Sequence, residues 1–159
     1  MSELALDSQV LVRQLFSQEK EETNLPDTKL ATSIRIESLY GLWQGDTGVE
    51  YVRVLSGNRA LAILSSGAQM ELSWQINGDN VEFVQVSENI LKFFHPAPYA
   101  IAVQLVELAD PVKWVFKITE NGKTLTGLKY GTAVRYEKDI ILEVYHNKSR
   151  EALWHKSSK

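Results

Sequence analysis

The side chains in this sequence that could act as acids, bases or metal ligands near neutral pH are its three histidines. His95 opens the proline-rich segment His95-Pro96-Ala97-Pro98-Tyr99, where it could contact a ligand or transfer a proton. His146 and His155 are too far apart for the HxH and HExxH patterns that bind zinc. Because the chain also has no cysteine, the sequence predicts no metal site and no cofactor, and we interpret His95 as a solvated loop residue.

Carboxylates and serines give no stronger catalytic signal. Asp46, Glu50 and Asp79 lie in or beside predicted turns, where short carboxylates cap backbone groups. The segment Ser65-Ser66-Gly67 lacks the Gly-x-Ser-x-Gly pattern of a nucleophile elbow. No catalytic residue is therefore predicted. An enzyme, for example an isomerase or a lyase that uses His95, is the least favoured of our hypotheses.

Length, charge and composition narrow the class of protein. A chain of 159 residues, of which 44% are hydrophobic, can bury a core as one domain. Its formal net charge of −3 argues against a nucleic-acid partner, which would require a basic face. No run approaches the roughly 18–20 apolar residues of a transmembrane segment. The first residues carry Glu3 and no positive charge, unlike a secretory signal, so we expect a cytoplasmic location.

The elements that must position any site are mostly strands. Met70, Leu72, Trp74 and Ile76 alternate with polar residues, and Asn77-Gly78 follows at once. A second alternating segment ends at Asn121-Gly122. Period-two alternation interrupted by Asn-Gly is a strong hairpin signal. A two-residue turn at Asn121-Gly122 places Ile118 opposite Leu125, whereas the Asn77-Gly78 turn allows a two-residue or a four-residue loop.

The pattern predicts an all-β fold, a single antiparallel up-and-down β-barrel of about eight to ten strands, because closing the sheet removes exposed edges. A β-sandwich, which uses the same strand patterns, is the alternative. The predicted strands cover residues 38–45, 48–56, 59–64, 69–77, 80–87, 89–94, 99–108, 112–120, 123–130, 132–138 and 140–146. The basic segment that follows is expected to dock Trp154 on the barrel, and a disordered tail is the alternative.

One amphipathic helix is predicted before the strands. Leu4, Leu11 and Leu15 share a helical face, and Asn24-Leu25-Pro26-Asp27 ends the pattern. We therefore divide the chain into residues 1–26, the N-terminal helix and connector, and residues 27–159, the β-barrel domain. The favoured interpretation is a helix packed on the barrel, and a protein partner bound through this helix is the alternative.

Gly41-Leu42-Trp43 lies at the start of the first long predicted strand, after the helical segment and before the β-meander. This arrangement resembles the calycin superfamily, that is, the lipocalins and their bacterial lipocalin-like relatives. The resemblance implies that Trp43 plugs one end of the barrel. It also implies that a basic residue from a late strand packs over the Trp43 ring by a cation–π contact. Arg135 is the best-placed candidate for that role, and Arg150 is the second.

A barrel of this size is either filled by side chains or holds one small ligand. Our leading hypothesis is lipocalin-like binding of a small apolar or amphipathic molecule in the barrel interior. Trp43 and Arg135 would close one end, and the cavity would be lined by Tyr51, Trp74, Phe83, Trp114 and Phe116. The competing interpretation is that these aromatic residues form an ordinary core. A non-enzymatic protein-interaction module with the barrel as scaffold is the second hypothesis.

Overall fold

Eight antiparallel strands form one closed ring, in which each strand pairs with its neighbours in sequence and the last pairs with the first. The computed structural model describes residues 35–157. The strands are β1 (Gly41–Gln44), β2 (Val49–Leu55), β3 (Arg59–Leu64), β4 (Gln69–Asn77), β5 (Asn80–Gln85), β6 (Lys113–Ile118), β7 (Thr124–Glu137) and β8 (Ile140–Lys156). The helices are α1 (Ile36–Leu39), a 3-10 turn (Leu91–Phe94) and α2 (Tyr99–Leu108). The strands thus belong to one sheet, and the two-sheet sandwich is excluded.

The hairpin registers follow from the turn residues. Ile118 pairs with Leu125, as the two-residue turn at Asn121-Gly122 predicts. In the β4–β5 hairpin, Trp74 pairs with Phe83. This is the register that a four-residue loop predicts for this hairpin, two positions away from the register of a two-residue turn at Asn77-Gly78. Both registers direct the large apolar side chains to the inside of the ring, where Trp74 and Phe83 are buried.

The predicted strands at 89–94 and 99–108 are wrong. Residues 86–112, which we call the covering segment, instead contain the 3-10 turn and α2. Ile101 and Leu105 are buried one helical turn apart, together with Ala102. Burial at positions i, i+1 and i+4 has the period of a helix and not the period of two that a strand requires. Leu105 and Ile101 pack on Val134 of β7 in a second small core outside the ring.

The last two strands are longer than predicted. The segments 123–130 and 132–138 form the single strand β7, which is bent by a register shift between Gly131 and Ala133. Strand β8 continues to Lys156 rather than ending at residue 146. Trp154 is therefore part of a strand and is fully buried, which confirms its expected docking. The far half of this hairpin extends beyond the ring and carries the Val134 side of the second core.

Aromatic side chains fill one half of the ring interior. The Trp154 ring lies 4.8 Å from Phe83 and 4.7 Å from Phe116, measured between ring centroids. Trp114 packs on the same Trp154 ring at 5.4 Å. All four side chains are fully buried. This half of the interior is packed solid, so any binding space must lie beyond it.

Trp43 occupies the end of the ring that we call the closed end. Its indole Nε1 donates a hydrogen bond to the Leu39 carbonyl oxygen at 2.8 Å, which holds α1 across this end. Lys156 Nζ lies 5.4 Å from the centroid of the Trp43 ring and donates to the Ser38 carbonyl oxygen at 2.5 Å. The cation over Trp43 is thus Lys156 and not Arg135.

The predicted N-terminal helix and the division at residues 26 and 27 lie outside the described residues. Within residues 35–157, no helix is both long and apolar enough to cross a membrane.

Candidate ligand-binding site

The side chains that point into the ring from β7 and β8 change character along the strands. The pairs Leu125–Trp154 and Gly127–Ala152 lie in the packed half. The next inward pair consists of two cations, Lys129 and Arg150, and Gly131 pairs with Lys148 after it. Since inward residues recur every second position, the interior becomes cationic as it approaches the covering segment.

A cavity of about 680 Å³ lies between this cationic layer and the covering segment. Trp114, Lys129 and Arg150 line it, whereas the next inward residues toward the closed end, among them Phe116, do not. These three residues are therefore the cavity floor. The apolar wall is formed by Val49, Leu64 and Met70 of the ring and by Phe93, Phe94, Leu105 and Val112 of the covering segment.

Side-chain amides hold the covering segment at both of its ends. Gln85, which is buried, donates from Nε2 to the Ser87 carbonyl oxygen and to Asn89 Oδ1, at 2.7 and 2.8 Å. Its Oε1 accepts from the backbone nitrogen of Val112 at 3.1 Å. Asn89 in turn donates to the carbonyl oxygen of Ala109, after the end of α2, at 2.9 Å. These bonds satisfy the polar groups beside the cavity and fix its cover.

Asp46 lies beneath the cavity floor, in the turn after β1. Its Oδ1 accepts hydrogen bonds from the indole nitrogens of Trp154 at 2.8 Å and Trp114 at 3.2 Å. Its Oδ2 lies 3.6 Å from Nη2 of Arg150, which also donates to the Thr47 carbonyl oxygen at 3.0 Å. The carboxylate therefore orients both indoles and offsets the charge of Arg150.

Lys129 is the cavity-floor cation that the protein leaves least compensated. Its Nζ lies 5.0 Å from the centroid of the Trp114 ring, and the structure assigns it no hydrogen-bond acceptor among residues 35–157. Burial disfavours the charged form and lowers the pKa of Lys129 to about 8. The nearby Asp46 carboxylate raises this pKa by a smaller amount, and the positive charge of Arg150 lowers it further. The side chain remains half-buried because it faces the cavity.

The rim of the cavity carries a second polar group. Asp110 Oδ2 lies 2.7 Å from Nδ1 of His146. The backbone nitrogen of Asp110 donates to Thr132 Oγ1 at 2.9 Å. His95, at the other side of the rim, also lines the cavity but is exposed to solvent. The position of His95 agrees with the interpretation of a solvated loop residue.

The residues predicted to line a ligand cavity or to close its end lie in different parts of the structure. Trp114 lines the cavity. Trp43, Trp74, Phe83 and Phe116 are buried in the packed half of the ring and the closed end. Trp74, Phe83 and Phe116 therefore fit the competing interpretation, that of an ordinary core, whereas Trp43 lies at the closed end of the ring.

Two further predicted residues do not face the interior. Tyr51 is 42% exposed, because the register shift between Val49 and Tyr51 turns its side chain outward. Arg135 lies on the hairpin beyond the ring, where its Nε donates to Glu143 Oε1 at 2.7 Å. Neither residue is close to the cavity floor.

Sequence reasoning missed Lys129 as a site residue. The hairpin register contains the information needed to find it. The register that pairs Ile118 with Leu125 also pairs Trp114 with Lys129, four positions further from the turn on each strand. An inward tryptophan opposite a lysine requires the lysine to point inward as well.

Within residues 35–157, no group of three or more His, Asp or Glu side chains is arranged to hold a metal ion. A comparison with curated proteins found no match. The model of the family described as "TP_0183_C: C-terminal" matches residues 33–157, and the chain therefore belongs to the TP_0183_C family.

Proposed function

We propose that this protein binds one small amphipathic molecule in the cavity under the covering segment, in the manner of a lipocalin-like barrel. The observation that carries the proposal is the cavity of about 680 Å³ at one end of a closed ring of strands. This volume is within the usual range of small-molecule sites, about 300–1,000 Å³. An apolar wall with a few converging polar groups is the usual lining of such sites.

The closed end supports the lipocalin-like part of the proposal. Trp43 of the Gly-x-Trp segment is buried there, and a cation packs over its ring. The chain differs from the expectation in that this cation is Lys156 from the last strand. The arrangement blocks that end, so a ligand enters from the side of the covering segment.

The packed aromatic half restricts the ligand to the other half of the ring. Trp114 separates the two, since it lines the cavity and also packs on Trp154. A bound molecule would contact Trp114, the apolar residues Val49 and Met70, and the inner side of the covering segment. Trp74, Phe83 and Phe116 serve stability rather than binding.

The test compares a filled cavity with an intact one. Leu64 is buried and lines the cavity, so Leu64→Trp occupies the binding space. Leu61 lies on the same strand in an outward position, and Leu61→Trp is the matched control. We expect decanoate or decanol, measured by isothermal titration calorimetry, to bind the native chain and Leu61→Trp but not Leu64→Trp. Binding of neither amphipath to the native chain, or equal binding to both variants, would overturn the proposal.

A further inference from the structure

We propose that the ligand is a monoanion, a carboxylate with an apolar tail, whose head group pairs with the Lys129 ammonium at the cavity floor. This inference rests on the proposed function, because it assigns the polar end of the molecule that the cavity binds.

The cavity floor and the Asp46 carboxylate beneath it together carry one more positive charge than negative charge. Lys129 and Arg150 are the two cations of the layer, and Asp46 is the acidic group beneath it. Arg150 faces Asp46 at 3.6 Å, so these two charges offset each other. Lys129 then remains as a cation that faces the cavity without an anionic partner in direct contact among residues 35–157.

Asp46 makes its direct contacts with groups other than Lys129. Its Oδ1 already accepts from Trp114 and Trp154, and its Oδ2 lies beside Arg150. What Lys129 has instead is the face of the Trp114 ring at 5.0 Å, a weaker compensation than a carboxylate. A half-buried cation without an acceptor costs free energy, which an anionic ligand would recover.

The remaining charged groups of the lining add to the same field. Lys92 and Lys148 line the cavity nearer its rim, while Asp110, the acidic lining residue among residues 35–157, is engaged by His146. The lining therefore attracts anions, and the cations around the entrance favour their approach. Only Lys129 combines a position at the floor with the lack of a carboxylate partner.

The apolar wall favours a ligand whose remaining part is a hydrocarbon tail. Val49, Leu64 and Met70 surround the cavity, and Phe93 and Leu105 cover it. A head group on Lys129 would direct a hydrocarbon tail along this wall toward the covering segment. A single uncompensated ammonium matches a single carboxylate in charge.

Calorimetry with two probes of equal tail separates this inference from the proposed function. We expect decanoate to bind the native chain at least about tenfold more tightly than decanol, because only decanoate adds an ion pair to its hydrogen bond with the Lys129 ammonium. In Lys129→Met this preference should disappear, and it should persist in Lys117→Met, a control on the outer face of β6. Equal binding of both probes to the native chain would overturn the inference but leave the proposed function intact, whereas absence of binding would overturn both.

A second measurement needs no variant. Since the pKa of the free Lys129 is about 8, decanoate binding at pH 8 should take up about half a proton. The heat of binding would then differ between buffers of different ionisation enthalpy, such as HEPES and Tris. We also expect decanoate affinity to fall as the pH rises above 8. Binding without proton uptake, or a decanoate preference that survives in Lys129→Met, would exclude Lys129 as the head-group partner.

Discussion

Asp46 Oδ1 accepts a hydrogen bond from Trp154 Nε1 at 2.8 Å, across 108 positions of the chain. The bond joins the turn after the first strand to the last strand of the ring, directly beneath the cavity floor. It also keeps the indole in place between Phe83 and Phe116. One carboxylate thus orients the packed half of the interior and offsets Arg150 at the floor of the open half.

Replacement of Asp46 by alanine should strongly destabilise the fold. Two buried indole N–H groups would lose their acceptor, each at a cost of about 1–3 kcal/mol, and Arg150 would lose its counter-charge. Asp46→Asn retains an acceptor oxygen and should lose less. Urea unfolding followed by far-ultraviolet circular dichroism measures these differences. Asp79→Ala, in the exposed turn after β4, is the control, and an equal loss in this variant would contradict the assigned role.

Lys129→Met should stabilise the protein below pH 8. In the native state the pKa of Lys129 is about 8, against 10.5 in the unfolded chain. Between these values the unfolded chain binds more protons, so the free energy of unfolding of the native sequence rises with pH across that window. Below pH 8 the charged lysine costs up to about 3 kcal/mol, a cost that methionine does not have.

The check is urea unfolding of both chains at several pH values. The advantage of Lys129→Met should be largest below pH 8 and should shrink between pH 8 and pH 10.5. Lys117→Met, which removes an exposed lysine from the neighbouring strand, should show no such trend. A variant that is less stable than the native chain at pH 7 would contradict the prediction.

Gly127→Ala should weaken the packed half of the ring. A methyl group at this position would lie 2.0 Å from the Val115 carbonyl oxygen, so β6 and β7 would have to separate. We expect a loss of about 1–3 kcal/mol or more in thermal or urea unfolding. Gly131→Ala is the matched control, since its methyl group would meet Val112 at an ordinary 3.5 Å. Similar stability losses in both variants would show that close strand approach is not the cause.

Lys156→Met should destabilise the closed end. The substitution removes the cation over Trp43 and the hydrogen bond to Ser38, together worth about 1–2 kcal/mol. Arg135→Met should leave the unfolding midpoint unchanged, because Arg135 pairs with Glu143 on an exposed hairpin. If Arg135→Met were the more damaging of the two, the assignment of Lys156 to the Trp43 ring would be wrong.

The fold was predictable wherever a turn residue fixed the register. Asn121-Gly122 correctly positioned Ile118 opposite Leu125, and the alternation through Trp74 identified the inner face of β4. The structure of the covering segment could not be predicted from turn residues. Its helix α2 is stabilised by tertiary packing of Ile101 and Leu105 on Val134, a residue of a distant strand.

The candidate site was harder to predict than the fold. Aromatic residues indicated an interior, but whether Phe83 and Phe116 line a space or fill it depends on Trp154, which approaches from the far end of the chain. The cavity is covered by residues 86–112, in which the predicted strands at 89–94 and 99–108 are wrong. Lys129 could have been found from the register alone, because its partner Trp114 was already assigned to the inside.

The pairing of β1 with β8 has a consequence for folding kinetics. This joint pairs Trp43 with Lys156 and Gln44 with His155, whereas the β7–β8 pairing runs from Thr124 to Glu137. The other pairs join strands that are consecutive in the chain, whereas this joint must wait until the first strand and the last strand meet. We therefore expect ring closure to be the slow step of folding, and the amides of β1 to exchange with deuterium sooner than those of β7.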